Sequence, residues 1–349
     1  MDVPGYAAPT ATSPLEPFQV PRRDVGPRDV AIDIAFCGIC HSDIHQARHE
    51  WSTNSIFPMV PGHEIAGTVS AVGSEVTGFK VGDRVGVGCN VGSCGTCENC
   101  RQGEQSYCTE HIAATYNGYE MDRETPTYGG YSTHIVVTEE WVFRLPDSIS
   151  LEAAAPLLCA GITCYQPLAE FGAGPGTKVG VVGLGGLGHM AVKLAAAMGA
   201  DVTLISHSPH KEEDGYRLGA SRFLLSSDKE QMKSANGSLD LIINTASSQT
   251  KLDNYMKLLK FDGTMALVGL PENDVSVSAF TLGAQRRRLT VTNNGGIPQT
   301  QEMLDFCGEH GIGSDVEVIG FDKVNEAWER VVASDVKYRF VLDTATLSG

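Results

Sequence analysis

KVGVVGLGGLGHMAVKLAAAMG, residues 178–199, is the stretch that decides the fold. It opens with a short apolar run of strand length and ends with an Ala/Leu-rich helical run that stops at Gly199. Between them Gly183, Gly185 and Gly188 occupy the G-x-G-x-x-G positions, with Gly186 and Leu187 leading into the helix. The glycines allow a tight turn, let backbone approach a pyrophosphate, and let the helix pack closely on the strand. The helix N-terminus offers free N–H groups and a partial positive charge to the phosphates. The hexapeptide alone is equally an ordinary Gly-rich loop. Its surroundings decide: the strand-like runs DVTLIS, RFLL, DLIINT, TMALVG and RLTVT follow, alternating with helix-like runs such as KLDNYMKLLK. Six strands with helical crossovers predict a doubly wound parallel sheet that binds a dinucleotide.

Outward from this stretch the pattern changes twice. Up to about Pro146 the chain has short alternating runs, such as Val30 to Phe36, punctuated by glycines, which predicts an irregular β-rich unit. LEAAAPLLCAGITCYQPLAEF, starting at Leu151, predicts one long helix. After Val291 the pattern loosens into a helix near QEMLDFCGEH, a strand DVEVI, a helix VNEAWERVVA and a strand YRFVLD, a tail expected to rejoin the first unit. The expected organisation is an α/β chain: 1–150 as the first part of a β-rich domain, 151–290 as the dinucleotide domain, and 291–349 returning to the first.

A chain of 349 residues suits two domains with real cores. Its formal charge of −16 and the lack of any basic block beyond Arg286 to Arg288 argue against nucleic acid and anionic membranes as partners. The polar, Pro-rich start carries no secretory apolar core, and no run is long enough to span a bilayer. A soluble protein of a reduced compartment, the cytoplasm, is expected.

The end of the second predicted strand sets the choice of dinucleotide. An NAD site wants a carboxylate there for the adenosine ribose hydroxyls. This chain reads LISHSPHK, with Ser206 in that position, then Ser208 and Lys211. A carboxylate would repel a 2′-phosphate, whereas two hydroxyls and an ammonium would hold one. NADP(H) is therefore expected; the competing reading is that Ser206 tolerates either cofactor and Lys211 is merely solvated.

Four cysteines, Cys94, Cys97, Cys100 and Cys108, lie in SCGTCENCRQGEQSYC. Four thiolates so close satisfy a tetrahedral zinc with no open position, which makes the site structural. A disulfide loop or redox thiols is the alternative, disfavoured in a reducing compartment. Cys40 in CGICHSD, His63 in PGHE and Cys159 in PLLCAGIT are too far apart for spacing to join them. Beside a zinc site and a dinucleotide domain they supply a Cys2His set with one position open, the composition of a catalytic zinc site. Glu64 would approach that metal, and Asp43 would orient His63 through its other ring nitrogen. Taken singly, each ligand also reads as a core residue, as do Cys37, Cys89, Cys164 and Cys307.

With CGICHSDIH, PGHE, SCGTCENC, TYGGYSTHIVV, AAPLLCAGIT, GLGGLGHMAVKLA and DVKYRFVLD together, the chain resembles the zinc-dependent medium-chain dehydrogenases. The branch is that of the cinnamyl alcohol dehydrogenase-like NADP-dependent aldehyde reductases, and the resemblance covers nearly the whole length. It implies a GroES-like catalytic domain built from both chain ends, a Rossmann domain between, two zinc ions per chain, and a homodimer. It implies Cys40, His63 and Cys159 as catalytic zinc ligands with Glu64 adjacent, and the four clustered cysteines as structural ligands. Ser42 matches the hydroxyl that bonds the substrate oxygen, His45 the histidine that passes the proton toward solvent, and Thr163 a residue near the reactive end of the cofactor. Ser206, Ser208 and Lys211 match the 2′-phosphate contacts.

The implied reaction is hydride transfer between NADP(H) and an aldehyde or primary alcohol, aromatic or aliphatic. Reduction of conjugated double bonds or iminium groups is the runner-up, disfavoured by the intact ligand and relay set. A non-catalytic zinc and nucleotide binder is the remaining alternative. One segment departs from the family: Thr290 to Pro298 reads TVTNNGGIP, where a Gly-Ser-rich pair of turns is usual. The resemblance implies that this segment approaches the nicotinamide and the substrate pocket, where the amides of Asn293 and Asn294 would favour a more polar substrate, with Trp51 and Tyr128 either lining the pocket or packing at the surface.

Overall fold

The computed structural model describes residues 1–51, 54–247, 251–271 and 273–347. It forms two compact units, Met1–Ile162 with Asn294–Gly349, and Thr163–Asn293. The division falls inside the helix Ala160–Glu170, twelve residues beyond the change of composition at Ser150.

In the second unit six strands lie in the order Arg222–Leu225, Asp201–Ser206, Lys178–Val182, Leu239–Asn244, Leu259–Leu267, Arg288–Val291. Every neighbouring pair is parallel. In chain order this is 3-2-1-4-5-6, whose reversal beside the first strand creates the crevice where dinucleotides bind. Val179, Val181, Leu204, Ile205, Ile242 and Ile243 are wholly buried. Strands covered on both faces require such continuous apolar runs rather than alternation. The helix Gly186–Ala197 buries Met190, Ala191, Val192 and Leu194 against the sheet. Gly199, at φ +88°, ends the run where a side chain would be strained.

One helix is shorter than its sequence predicts. KLDNYMKLLK forms only Asp253–Met256, and Leu259 already begins the strand Leu259–Leu267. Leu258 and Leu259 are fully buried, and Leu259 pairs with Leu239. Burial and strand pairing outweigh the helix propensity of a Leu/Lys run.

The first unit is built on a seven-stranded sheet in the order Val316–Gly320, Arg339–Asp343, Asp29–Gly38, Ile65–Val72, Arg84–Val87, Phe143–Arg144, with His134–Thr138 also paired to Asp29–Gly38. The C-terminal tail thus completes the N-terminal sheet, through Val341 to Asp343 paired antiparallel with Phe36 to Gly38. Tyr131, Phe321, Phe340, Ile32, Ile44 and Ile65 fill its core.

The long helix predicted from Leu151 is broken. Residues Leu151–Ala154 are α-helical, Ala155–Leu158 tighten to a 3-10 turn, and helix resumes at Ala160. Pro156 lacks the N–H an α-helix needs, and its ring crowds the preceding turn. Cys159 sits at the break with φ −127° and ψ −71°. No helix among the described residues is long and apolar enough to cross a membrane.

Candidate functional site

The strand Asp29–Gly38 delivers Cys40 to the N-cap of the helix His41–Ala47. Asp43, in that helix's first turn, accepts the Cys40 N–H at 2.9 Å and so caps the helix. The same buried carboxylate accepts the Gly62 N–H at 3.1 Å and bonds His63 Nδ1 at 3.0 Å. One side chain therefore ties together the two segments that carry Cys40 and His63. It also commits the Nδ1 side of the ring and leaves Nε2 as the nitrogen available to a metal. Nε2 lies 3.2 Å from Cys159 Sγ, which reaches it because of the break at Pro156.

Cys40 Sγ and Cys159 Sγ are 3.9 Å apart. That is nearly double the ~2.05 Å of a disulfide. It matches the separation of about 3.8 Å that two thiolates span across a tetrahedral zinc with bonds of about 2.3 Å. Donor atoms of Cys40, His63, Glu64 and Cys159 all lie within 4.8 Å of one another, and all four residues are buried. The donor set fits zinc. The two thiols also respond in opposite directions: their mutual bond holds Cys40 well below its ordinary value and pushes Cys159 well above. One thiolate beside one thiol is the arrangement without a metal; a cation between them would let both ionise.

Glu64 is wholly buried, and both its oxygens lack a hydrogen-bond partner among the described residues. Arg339 Nη2 faces Oε1 at 3.1 Å without the alignment of a hydrogen bond. Burial pushes Glu64 up to about 8, although the Arg339 charge pulls the other way. Burial would lower His63, but Asp43, Cys89 and Cys40 together outweigh it and hold the imidazole well above its usual value. A carboxylate with free lone pairs beside two thiols and an imidazole is a donor aimed at a cation. Gly38 makes room for it: a Cβ there would lie 1.9 Å from Glu64 Oε2.

Ser42 Oγ lies 3.5 Å from Cys40 Sγ. His45 is on the next turn, its Nδ1 2.5 Å from Glu50 Oε2, its ring stacked on Trp51 at 4.6 Å and near His41 at 5.8 Å. Trp51 therefore packs on the histidine, while Tyr128 packs against the core of the first unit. No local sequence pattern marks Glu50 or Arg339 as part of this site. Cys89, expected as core, is half-buried, and a bond to the Cys159 thiol lowers it below its ordinary value. Cys37, Cys164 and Cys307 are buried.

The four-cysteine loop closes on itself, with Cys94 Sγ to Cys100 Sγ at 3.9 Å and Cys97 Sγ to Cys108 Sγ at 4.0 Å. All four sulfurs lie within 4.8 Å of one another, again beyond disulfide length and at zinc spacing. The departing segment docks on this loop. Ser106 Oγ donates to Gly295 O at 2.9 Å, and a Cβ at Gly296 would lie 1.6 Å from Gly103 O. The retained glycines of TVTNNGGIP are thus a backbone-contact requirement.

In the second unit the three glycines have distinct roles. Gly183 turns the chain at φ +93°, and a Cβ at Gly188 would strike Gly183 O at 2.2 Å. A Cβ at Gly185, the helix N-cap, would meet nothing within 4 Å. That open space lies at the helix N-terminus, where backbone N–H groups such as those of Gly186 and Leu187 could hold a pyrophosphate. Lys211 Nζ donates to Leu184 O at 2.5 Å, so its ammonium stands at the glycine turn. Ser206 is buried at its strand end, and its Oγ accepts the Ser208 N–H at 3.1 Å. Thr163 lies in the first turn of the helix Ala160–Glu170.

Residues 26–147 match the alcohol dehydrogenase GroES-like domain, and residues 186–309 match the zinc-binding dehydrogenase family. The chain is 59% identical over 346 residues, 99% of each chain, to an NADP-dependent alcohol dehydrogenase C 1 of Mycolicibacterium smegmatis. Its fold is similar to a cinnamyl alcohol dehydrogenase of Sorghum bicolor, with a TM-score of 0.96 at 46% identity over 99% of this chain and 98% of that one. It is also similar to the CAD of Helicobacter pylori solved complexed with NADP(H), with a TM-score of 0.92 at 42% identity over 99% of both chains.

Proposed function

Because the chain belongs to the zinc-dependent medium-chain alcohol dehydrogenases, in their cinnamyl alcohol dehydrogenase-like branch, we propose that it interconverts aldehydes and primary alcohols with NADP(H). The observation that carries this reading is the convergence of Cys40, His63, Glu64 and Cys159 donors within 4.8 Å, next to Ser42 Oγ. Two zinc ions per chain are proposed, one in this open set and one in the closed four-cysteine set. When bound, the first zinc supplies Lewis-acid polarisation of a carbonyl or alcohol oxygen, and NADPH supplies the hydride.

The chain's own residues do the rest. Cys40, His63 and Cys159 would hold the metal, and Glu64 is the buried carboxylate beside them that would serve as a further donor. Asp43 fixes the His63 ring. Ser42 Oγ–H donates to the substrate oxygen as negative charge develops on it, the role of an oxyanion donor. His45 restores that proton, and Glu50 at the surface takes or supplies it through Nδ1. Glu50→Gln should therefore lower kcat about tenfold at neutral pH with little change in KM for NADPH, a loss of general acid–base transfer. Unchanged kcat would remove Glu50 from the relay. In the second unit the turn Gly183–Gly188 cradles the pyrophosphate, Ser206, Ser208 and Lys211 hold the 2′-phosphate, and Thr163 stands near the nicotinamide.

The test of the function is NADPH oxidation by zinc-replete protein across aromatic and aliphatic aldehydes, scored by kcat/KM. No turnover with any aldehyde would favour a binding role. A homodimer is proposed as well, with a second copy of this chain as the occupant of the exposed Phe280 and of the edge strand Arg288–Val291, whose Val291 is 57% exposed. A sedimentation mass of one chain at micromolar concentration would refute it.

A further inference from the structure

The turn that carries His63 rests on another loop. Gly129 N–H donates to Val60 O at 2.8 Å, Gly130 N–H to Gly62 O at 2.8 Å, and Tyr131 N–H to Pro61 O at 3.0 Å. The contact is backbone to backbone: a Cβ at Gly129 would lie 2.3 Å from Pro61 O. Tyr131 is wholly buried, donates its O–H to Asp43 Oδ2 at 3.4 Å, and receives Trp328 Nε1–H at 3.4 Å. Residues 128–132 thus brace the His63 turn from beneath and touch the carboxylate that orients its ring.

Backbone bonds from the strand Asp2–Ala7 hold one side of that brace, Tyr6 N–H donating to Tyr131 O at 2.9 Å, and a guanidinium holds the rest. Arg22 donates from Nη1 to Tyr128 O at 2.6 Å, and from Nη2 to Gly129 O at 2.7 Å and Ser132 Oγ at 2.7 Å. Ser132 is wholly buried. Arg22 is itself pinned, its N–H donating to Met1 O at 2.8 Å while the Met1 ammonium donates to Arg22 O at 2.7 Å. Among the described residues no carboxylate forms an ion pair with Arg22, and its Nε is shut from water without a partner. Burial lowers it to about 9, so the site taxes the charge instead of rewarding it. A charge kept in such a place, with three short bonds all to one loop, is spent on that loop's geometry.

We infer that Arg22 is a positioning residue for the reaction: by clamping residues 128–132 it fixes the turn that presents His63 to the metal. The inference rests on the reading of Cys40, His63 and Cys159 as the catalytic metal site. It concerns no direct contact with substrate or cofactor.

The test uses zinc-loaded protein carrying Arg22→Met, Arg22→Lys or Tyr131→Phe. Three quantities are read: the rate at which a chelator removes the Cys159-dependent zinc, kcat, and the Kd for NADPH. Arg22→Met should release that zinc about tenfold faster and lose about tenfold in kcat, the low end for a residue that orients a metal ligand. NADPH Kd should be unchanged, and Tyr131→Phe should move release and kcat the same way by less. Arg22→Lys keeps the charge but cannot fork to three acceptors, so it should fall between Arg22→Met and the unaltered chain. Folded Arg22→Met with release and kcat within twofold of the unaltered chain overturns the inference, even if its Tm falls. Should Arg22→Met not fold, Arg22→Lys decides by the same twofold criterion. Cys159→Ala separates the two levels. If it keeps full turnover and both metals, the metal-site reading fails; if it loses one metal and turnover while the Arg22 variants stay unchanged, only the Arg22 inference fails.

Discussion

Cys159→Ala is expected to lower turnover by about 1,000-fold or more while one zinc per chain remains. Cys159 Sγ reaches both of its partners in this cluster, 3.9 Å from Cys40 Sγ and 3.2 Å from His63 Nε2. Without it the site offers Cys40, His63 and Glu64, and the last of these is drawn toward Arg339. Loss of the Lewis acid removes roughly 4 kcal/mol of transition-state stabilisation, at about 1.36 kcal/mol per decade. The four-cysteine set shares no residue with this cluster and should keep its ion. Metal analysis with an NADPH oxidation assay checks both halves. Two zinc ions retained, or both lost, would contradict the division into an open and a closed site.

Ser206→Asp is expected to shift preference from NADPH toward NADH by about 100-fold, roughly 2–3 kcal/mol of charge repulsion at a partly shielded site. The substitution is tolerable in the fold. Ser206 sits at the end of the strand Asp201–Ser206, and a carboxylate there could accept the Ser208 N–H as the hydroxyl now does. It would meet a 2′-phosphate with charge where a donor now stands, and accept bonds from a ribose 2′-hydroxyl instead. The ratio of kcat/KM for the two cofactors is the measurement. An unchanged NADPH preference would mean that Ser208 and Lys211 hold the phosphate without Ser206.

What was legible in the chain was local. The strand–turn–helix of residues 178–199 could be read because each glycine answers a neighbour a few residues away, as Gly188 answers Gly183. The four-cysteine loop could be read because all its ligands lie within fifteen residues, a span that a tight loop gathers by itself. The set Cys40, His63 and Cys159 needed a family resemblance to be joined, since its members are 23 and 96 residues apart. Its internal geometry came from elsewhere again: the Pro156 break that frees Cys159 from a helix, and the Asp43 carboxylate that fastens two segments.

By itself, then, the chain determined a parallel dinucleotide sheet, a closed thiolate cluster and the residue types of an open one, because strand burial, glycine sterics and short-range chelation act between near neighbours. Packing alone decided that Arg339 would come to face Glu64, that Glu50 would meet His45 Nδ1, that Cys89 would touch Cys159, and that Arg22 would clasp the loop beneath His63. Those meetings depend on how a sheet closes over a shared core and on which buried polar groups must find partners, conditions that no linear spacing records.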